Sequence, residues 1–296
     1  MVRSVAVIGV GSMGRPMAEN LVKGGYEVRV CDLREEALAP FRAKGMEASA
    51  RAGDCAGADM IIIMVGNDAD VRQVVQGPDG LLSAVDASAP PLVAIMSSVL
   101  PRTIKESEAA LANKGAAVLD APVSGGPVRA AEATISIMAG GDDALFAKVE
   151  PVLDTIGRPI FRCGPVGAAA GVKIVNNILG VANMLLMGEA AHLATTIGID
   201  LPFLAGVMEV SSGRSFASKD FAAYRDLHMA NARDPDVTGR LLAILKKDLK
   251  LARTLAGEAG VSAPILDSVS SATDQLTTDG LFARWHVALG RYAEEN

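Results

Sequence analysis

Lys173 lies in the stretch Gly164-Pro-Val-Gly-Ala-Ala-Ala-Gly-Val-Lys173-Ile-Val-Asn-Asn177, at the head of a segment, Val172 to Leu193, that is otherwise nearly apolar. An ammonium in such a setting needs solvent, a polar partner or a chemical role. A lysine whose charged form is disfavoured by its surroundings can take and return a proton, which makes Lys173 the candidate proton-transfer group. Asn177 follows at i+4, so on a helix both side chains share one face and can reach a common ligand. The competing readings are a helix-end lysine reaching water for Lys173 and an amide bonded to a neighbouring helix for Asn177.

Two glycine clusters carry further chemistry. Asp120-Ala-Pro-Val-Ser124-Gly125-Gly126 sets a hydroxyl before two glycines, a turn able to offer backbone N–H groups to a carboxylate. Gly9-Val-Gly11-Ser12-Met13-Gly14 has the spacing of a dinucleotide loop. In that reading Gly9 makes the tight turn, Gly11 clears space for phosphate oxygens and Gly14 lets helix pack on strand, while the helix N-terminus faces the pyrophosphate. Asp32, eighteen residues after Gly14, is placed to bind the adenosine ribose hydroxyls and to repel a 2′-phosphate. Arg34 can pair with such a phosphate, so NAD is the expected cofactor with NADP possible. Val65 ends one further apolar run with Asn67 after it, and the pair Ser97-Ser98 follows another at Met96, positions where open sheets bind ligands or where ordinary polar residues end a strand.

Elements to position these groups are legible in the pattern. Strands are expected at Ser4–Ile8, Glu27–Cys31, Met60–Val65, Leu92–Met96, Ala117–Asp120 and Thr134–Ala139, with helices at Met13–Lys23 and Pro101–Lys114. This alternation implies a doubly wound, parallel-rich α/β sheet of the Rossmann type. From about Gly167 the pattern turns helical, over 172–197, 201–212, 240–259 and 264–277. We therefore expect a dinucleotide-binding domain over 1–165 and an all-α substrate and oligomerisation domain over 166–296, joined by the long helix 172–197.

Composition narrows the function. Half of the residues are hydrophobic, 4% are aromatic and the formal net charge is -6, which leaves no basic surface for nucleic acid. Three cysteines, Cys31, Cys55 and Cys163, without paired short spacing argue against a disulfide framework or a zinc cluster and fit a cytoplasmic setting. The apolar run Val5–Val10 is too short for a signal-peptide core, and Asn183, Glu189 and His192 interrupt the segment nearest to a membrane span. His192, His228 and His286 show no metal-ligand spacing, so no metal is expected.

The Gly9–Gly14 loop with its continuation to Asn20, the Asp120–Gly126 segment, the Lys173–Asn177 stretch and Lys247-Asp-Leu249 together resemble the β-hydroxyacid dehydrogenases, which include 3-hydroxyisobutyrate, tartronate-semialdehyde and threonate dehydrogenases. The resemblance runs through essentially the whole chain in order. It implies Lys173 as the catalytic lysine, Ser124, Gly125 and Gly126 as carboxylate binders and Asn177 as a substrate contact. It also implies Lys247 near the nicotinamide, and Asn67 and Ser98 as cofactor contacts, Ser98 standing where the family more often has threonine. The reaction implied is interconversion of a 3-hydroxy acid with its semialdehyde or keto acid; separately, the apolar long helix favours self-association, as a homodimer or homotetramer. Arg129 and Arg240 depart from the family pattern. Arg240, seven residues before Lys247, can pair with a second anionic or polyhydroxy end of the substrate, whereas Arg214 is a weaker candidate. A semialdehyde or glyoxylate reductase of the same family, and a catalytically silent dinucleotide-binding protein, are the alternatives.

Overall fold

The computed structural model describes residues 1–222, 224, 226 and 235–277. By compactness the chain divides into Met1–Ile174 and Val175–Asn296.

The first unit is built on a sheet of nine strands among the described residues. They are β1 (Ser4–Ile8), β2 (Glu27–Cys31), β3 (Ala48–Ser49), β4 (Met60–Ile63), β5 (Leu92–Ile95), β6 (Ala117–Asp120), β7 (Val123–Ser124), β8 (Ser136–Gly140) and β9 (Ile160–Gly164). Their spatial order is β3-β2-β1-β4-β5-β6-β8-β7, with β9 paired to β8. The strands from β3 to β6 are parallel, while β8 runs antiparallel to β6 and β7. The chain winds outward from β1 in both directions, and ligands bind beyond the carboxyl ends of strands at such a reversal.

The period of two along β1 sends Val5 and Val7 to one face and Ala6 and Ile8 to the other, and each face has its own core. Met17 and Leu21 of α1 (Gly14–Lys23) and Val149, Val152, Leu153 and Ile156 of α7 (Asp143–Ile156) join the first. Val71 and Val75 of α3 (Asp68–Gln76), with Ile104 and Leu111 of α5 (Pro101–Ala112), join the second. Full burial of each such aliphatic side chain contributes about 1.5–3 kcal/mol before entropy is counted. Three strands, β3, β7 and β9, escape the sequence pattern. The first two have only two residues each, and β9 is a partly exposed strand with Phe161 52% exposed.

Helix α8 (Ala168–Thr196) opens within the first unit and continues into the second. The rest of the second unit comprises helices Leu201–Glu209, Phe216–Lys219, Pro235–Glu258 and Pro264–Gln275, with no strand among its described residues. By length and composition alone α8 is apolar enough to cross a membrane. Val172, Val175, Leu179, Leu186 and Leu193 along it are exposed.

Candidate active site

The carboxyl ends of the central strands are brought level by the backbone itself. Gly9 donates to the Cys31 carbonyl at 2.7 Å, Met64 to Ile8 at 2.8 Å, Met96 to Ile63 at 2.9 Å and Ala121 to Ile95 at 2.8 Å. Gly9, Val65, Ser97, Ser98 and the segment following Asp120 thus leave the sheet along one edge.

The glycines of the first loop each have a steric reason. Gly9 has φ +92°, and a Cβ there would lie 2.2 Å from the Met64 carbonyl oxygen; a Cβ on Gly14 would lie 1.9 Å from the Gly9 oxygen. At Gly11 a Cβ would meet, among the described residues and beyond its chain neighbours, only a terminal guanidinium nitrogen of Arg34 within 4 Å, so the loop surface is open there. Ser12 is exposed, Met13 half-buried, and α1 begins without a side-chain cap or an acidic residue in its first turn. Arg15 already donates to the Gly11 carbonyl at 3.0 Å and Pro16 has no N–H, so an anion here would be met by the N–H groups ahead of Arg15.

Asp32 is buried beside this loop. Its Oδ2 accepts the Val10 N–H at 3.0 Å, and its Oδ1 accepts the Arg34 backbone N–H at 3.0 Å. The Arg34 guanidinium closes a fork on both oxygens, Nε to Oδ1 at 3.0 Å and a terminal nitrogen to Oδ2 at 3.1 Å. Burial pushes the Asp32 carboxyl up, but the Arg34 side chain and the backbone donors outweigh it and hold the group below the usual carboxylate range. The open glycine turn, the uncapped helix and the fixed carboxylate fit a dinucleotide, which Gly9, Gly11, Ser12, Met13, Gly14 and Asp32 would hold.

Along the same edge, Ser97 is buried and its hydroxyl accepts the Val65 N–H at 2.8 Å, while Ser98 is half-buried. Asn67 caps α3, its side-chain oxygen accepting from Ala69 at 2.8 Å and Asp70 at 3.1 Å. That oxygen is committed to the helix.

In the Ser124–Gly126 turn, Gly125 has φ +142° and Gly126 φ +75°, conformations that few side chains tolerate. The turn is held from both sides. Ser124 pairs with Ser136 of β8, and the buried Asn20 amide of α1 donates to the Ala130 carbonyl at 2.8 Å in the short helix after the turn, Gly126–Ala131.

Lys173 is only 7% exposed. The helix carrying it is anchored by Asp120, a fully buried carboxylate whose Oδ1 accepts the Gly167 N–H at 2.8 Å and whose Oδ2 accepts the Ala170 N–H at 2.7 Å. Burial pushes the Asp120 carboxyl up, and the two N–H donors oppose it without cancelling it.

Asn177, Lys247 and Asp248 belong to the second unit. The Asn177 amide donates to Asp248 Oδ2 at 2.7 Å, and Lys247 Nζ lies 3.0 Å from Oδ1 of the same buried carboxylate. Two residues implicated separately by sequence are thus gathered by a third.

The family profile described as the NAD binding domain of 6-phosphogluconate dehydrogenase matches residues 4–165. The one described as NAD-binding of NADP-dependent 3-hydroxyisobutyrate dehydrogenase matches residues 167–292. The chain belongs to the β-hydroxyacid dehydrogenase family. An NAD-dependent L-serine dehydrogenase of Pseudomonas aeruginosa is 35% identical over 89% of this chain and 88% of its own. A 2-(hydroxymethyl)glutarate dehydrogenase of Eubacterium barkeri is 37% identical over 88% of this chain and 85% of its own. The solved 3-hydroxyisobutyrate dehydrogenase of Mycobacterium tuberculosis with L-serine superposes with a TM-score of 0.81 at 26% identity, covering 98% of this chain and 99% of that one. The protein is an NAD-dependent hydroxyacid dehydrogenase, with NADP possible as cofactor.

Of this dehydrogenase's candidate arginines, two are engaged locally. Arg129 donates to the Thr134 carbonyl and folds back beside Gly125, and Arg214 pairs with Glu209 at 3.1 Å. Arg240 is exposed on helix Pro235–Glu258. His228 and His286 lie outside the described residues. Sequence reasoning passed over Asp120, Asp248 and Asn20 as individual residues. The available signal was a polar side chain inside an otherwise apolar strand or helix face, which must find a partner when buried.

Proposed function

We propose that this dehydrogenase oxidises a 3-hydroxy acid at its carbinol carbon, with Lys173 taking the hydroxyl proton and, in the reverse direction, returning it to the carbonyl oxygen. The observation that carries this reading is a nearly buried lysine on a helix pinned to the very strand that leads into the Ser124–Gly126 turn. Bound NAD would supply the hydride acceptor. A lysine acts as a base only as the neutral amine, and burial is a general means of disfavouring the ammonium.

In this reading Ser124, Gly125 and Gly126 hold the substrate carboxylate, so the carbinol carbon is positioned before any proton moves. Asn177 orients the substrate, its amide already fixed by Asp248. Lys247 serves the nicotinamide end, and Val65, Asn67 and Ser98 line the cofactor path. For Asn67 the contact falls to its backbone, because its side-chain oxygen caps a helix and its amide nitrogen donates to Asp70 Oδ2 at 2.8 Å. Arg240 stands two helical turns before Lys247, where its exposed guanidinium can pair with a second anionic or polyhydroxy end. A relative at 37% identity is named for a glutarate, a dicarboxylate, which supports this preference.

We place the enzyme in the cytoplasm, in keeping with its three free thiols. We further propose that it self-associates through the exposed apolar side chains of α8.

The deciding experiment is Lys173→Ala. Turnover is expected to fall about 10³-fold, with NAD affinity by fluorescence titration little changed; near-normal turnover overturns the assignment. A panel of 3-hydroxyisobutyrate, L-serine, 2-(hydroxymethyl)glutarate and sugar acids, run with NAD and NADP, reads the substrate class. Unchanged selectivity in Arg240→Ala removes the second-anion idea.

A further inference from the structure

Asp120 ends β6, paired on one side with Ile95 of β5 and on the other with Gly140 of β8. A carboxylate with no exposed surface inside a sheet is expensive unless every oxygen is used. Both of its oxygens accept backbone N–H groups from the opening turn of α8, at 2.8 and 2.7 Å, across sequence separations of 47 and 50 residues. Leading N–H groups of a helix lack intrahelical partners and are usually capped by a side chain just upstream. Here the cap comes from a distant strand. The fold also makes room for it: a Cβ at Gly140 would fall 2.3 Å from Asp120 Oδ1.

What this carboxylate joins gives it meaning. In one direction, Lys173 follows Ala170 by a single turn on the helix whose start Asp120 fixes. In the other, the chain leaves Asp120 for Ser124 along a path with little freedom. Ala121 donates to Ile95, the Pro122 carbonyl accepts from Met138 at 2.9 Å, and Val123 and Ser124 pair with β8. One side chain thus ties the helix of the lysine to the strand that leads into the carboxylate-binding turn.

We infer that Asp120 is a positioning residue of the reaction, holding Lys173 in register with the Ser124–Gly126 turn. This rests on the reading of Lys173 as the proton-transfer group. It goes beyond that reading by assigning to a residue outside the reacting centre the alignment of base and substrate. Misplacement by about 1 Å is enough to lower turnover about 10²-fold.

The test is Asp120→Asn in the full chain. The amide keeps the shape and one acceptor, but its NH₂ faces a backbone N–H. The measurements are thermal melting, NAD affinity by fluorescence titration, and kcat and KM with the best acid of the panel above. The expected result is a cooperative melt, NAD affinity within about threefold of the parent, KM changed severalfold at most and kcat lowered about 10²-fold. Gly140→Ala, which keeps the charge but takes the space of one oxygen, should show the same split between kcat and KM. A folded Asp120→Asn variant with kcat within threefold of the parent overturns the inference. Loss of NAD binding or of cooperative melting along with turnover also overturns it, assigning the carboxylate to folding alone. Lys173→Ala, run alongside, separates the two ideas. Near-normal turnover in that variant removes the base itself, whereas an inactive Lys173→Ala beside a normal Asp120→Asn removes only the positioning role.

Discussion

The glycine loop that would cradle the dinucleotide and the side chains proposed for proton transfer are built by opposite means. The cradle is made of backbone: a glycine turn, an uncapped helix start and one carboxylate held in part by main-chain N–H groups, with all of its glycines within six residues of each other. The side chains proposed for the chemistry are instead placed by distant partners: in the first unit the helix of Lys173 is tethered to Asp120 across 47 and 50 residues, and in the second Asn177 is tethered to Asp248 across 71. A backbone site tolerates no added atoms, whereas a side-chain site tolerates shape and fails through loss of a tether. The two should therefore break differently.

Gly9→Ala presses hardest on that difference. Its Cβ would stand 2.2 Å from the Met64 carbonyl on a residue at φ +92°, so the turn must open. Left-handed strain contributes about 1–2 kcal/mol, and the overlap adds more. We expect NAD affinity to fall at least about 100-fold, near 2.7 kcal/mol, together with a lower melting temperature. Unchanged affinity by titration would show that the cradle does not depend on backbone shape.

Asn177→Ala is the counterpart in the side-chain region and a milder change. It deletes the 2.7 Å donor to a buried carboxylate and leaves Asp248 to Lys247. Leaving a buried acceptor short of a partner destabilises by about 1–3 kcal/mol. Turnover should fall about tenfold while NAD affinity holds. Equal losses in both would mean that the two regions do not fail separately.

This contrast also explains what the sequence reveals. Gly9–Gly14 and Asp32 are legible because a backbone site leaves its reasons in a short local spacing, and the strands around them because apolar runs alternate with amphipathic helices. Lys173 is legible as an anomaly, a charge on an apolar helix. Asp120 and Asp248 are not, because their function lies in which distant N–H or amide they meet, and no local spacing encodes it. Asn67 illustrates the converse: its position after β4 reads as a ligand contact, while its oxygen is used as a helix cap. Strand β9 was missed for a related reason, since a partly exposed edge strand has no apolar pattern to announce it.

The smallest expected effect, and the one that refines the cradle, is that of Arg34→Ala. Arg34 forks onto Asp32 across the open face of Gly11, so it occupies the carboxylate proposed for the adenosine ribose and carries a charge that a 2′-phosphate could use. Removing it should raise the NADP-to-NAD ratio of dissociation constants about fivefold, roughly 1 kcal/mol, by leaving Asp32 to repel the phosphate unopposed. Its effect on stability is smaller, because the Arg34 side chain is 55% exposed and solvent screens the pair. The sign is nevertheless fixed. Asp32 is held below the usual carboxylate range, so its contribution is complete above about pH 4, the ordinary aspartate value, and is lost as the pH falls through its lower folded value. The melting-temperature gap between the parent and Arg34→Ala should therefore narrow on going from pH 7 to strongly acid solution. A gap that stays constant would show that the fork does not hold Asp32 in solution, and a shift in cofactor ratio would then have to come from the phosphate contact alone.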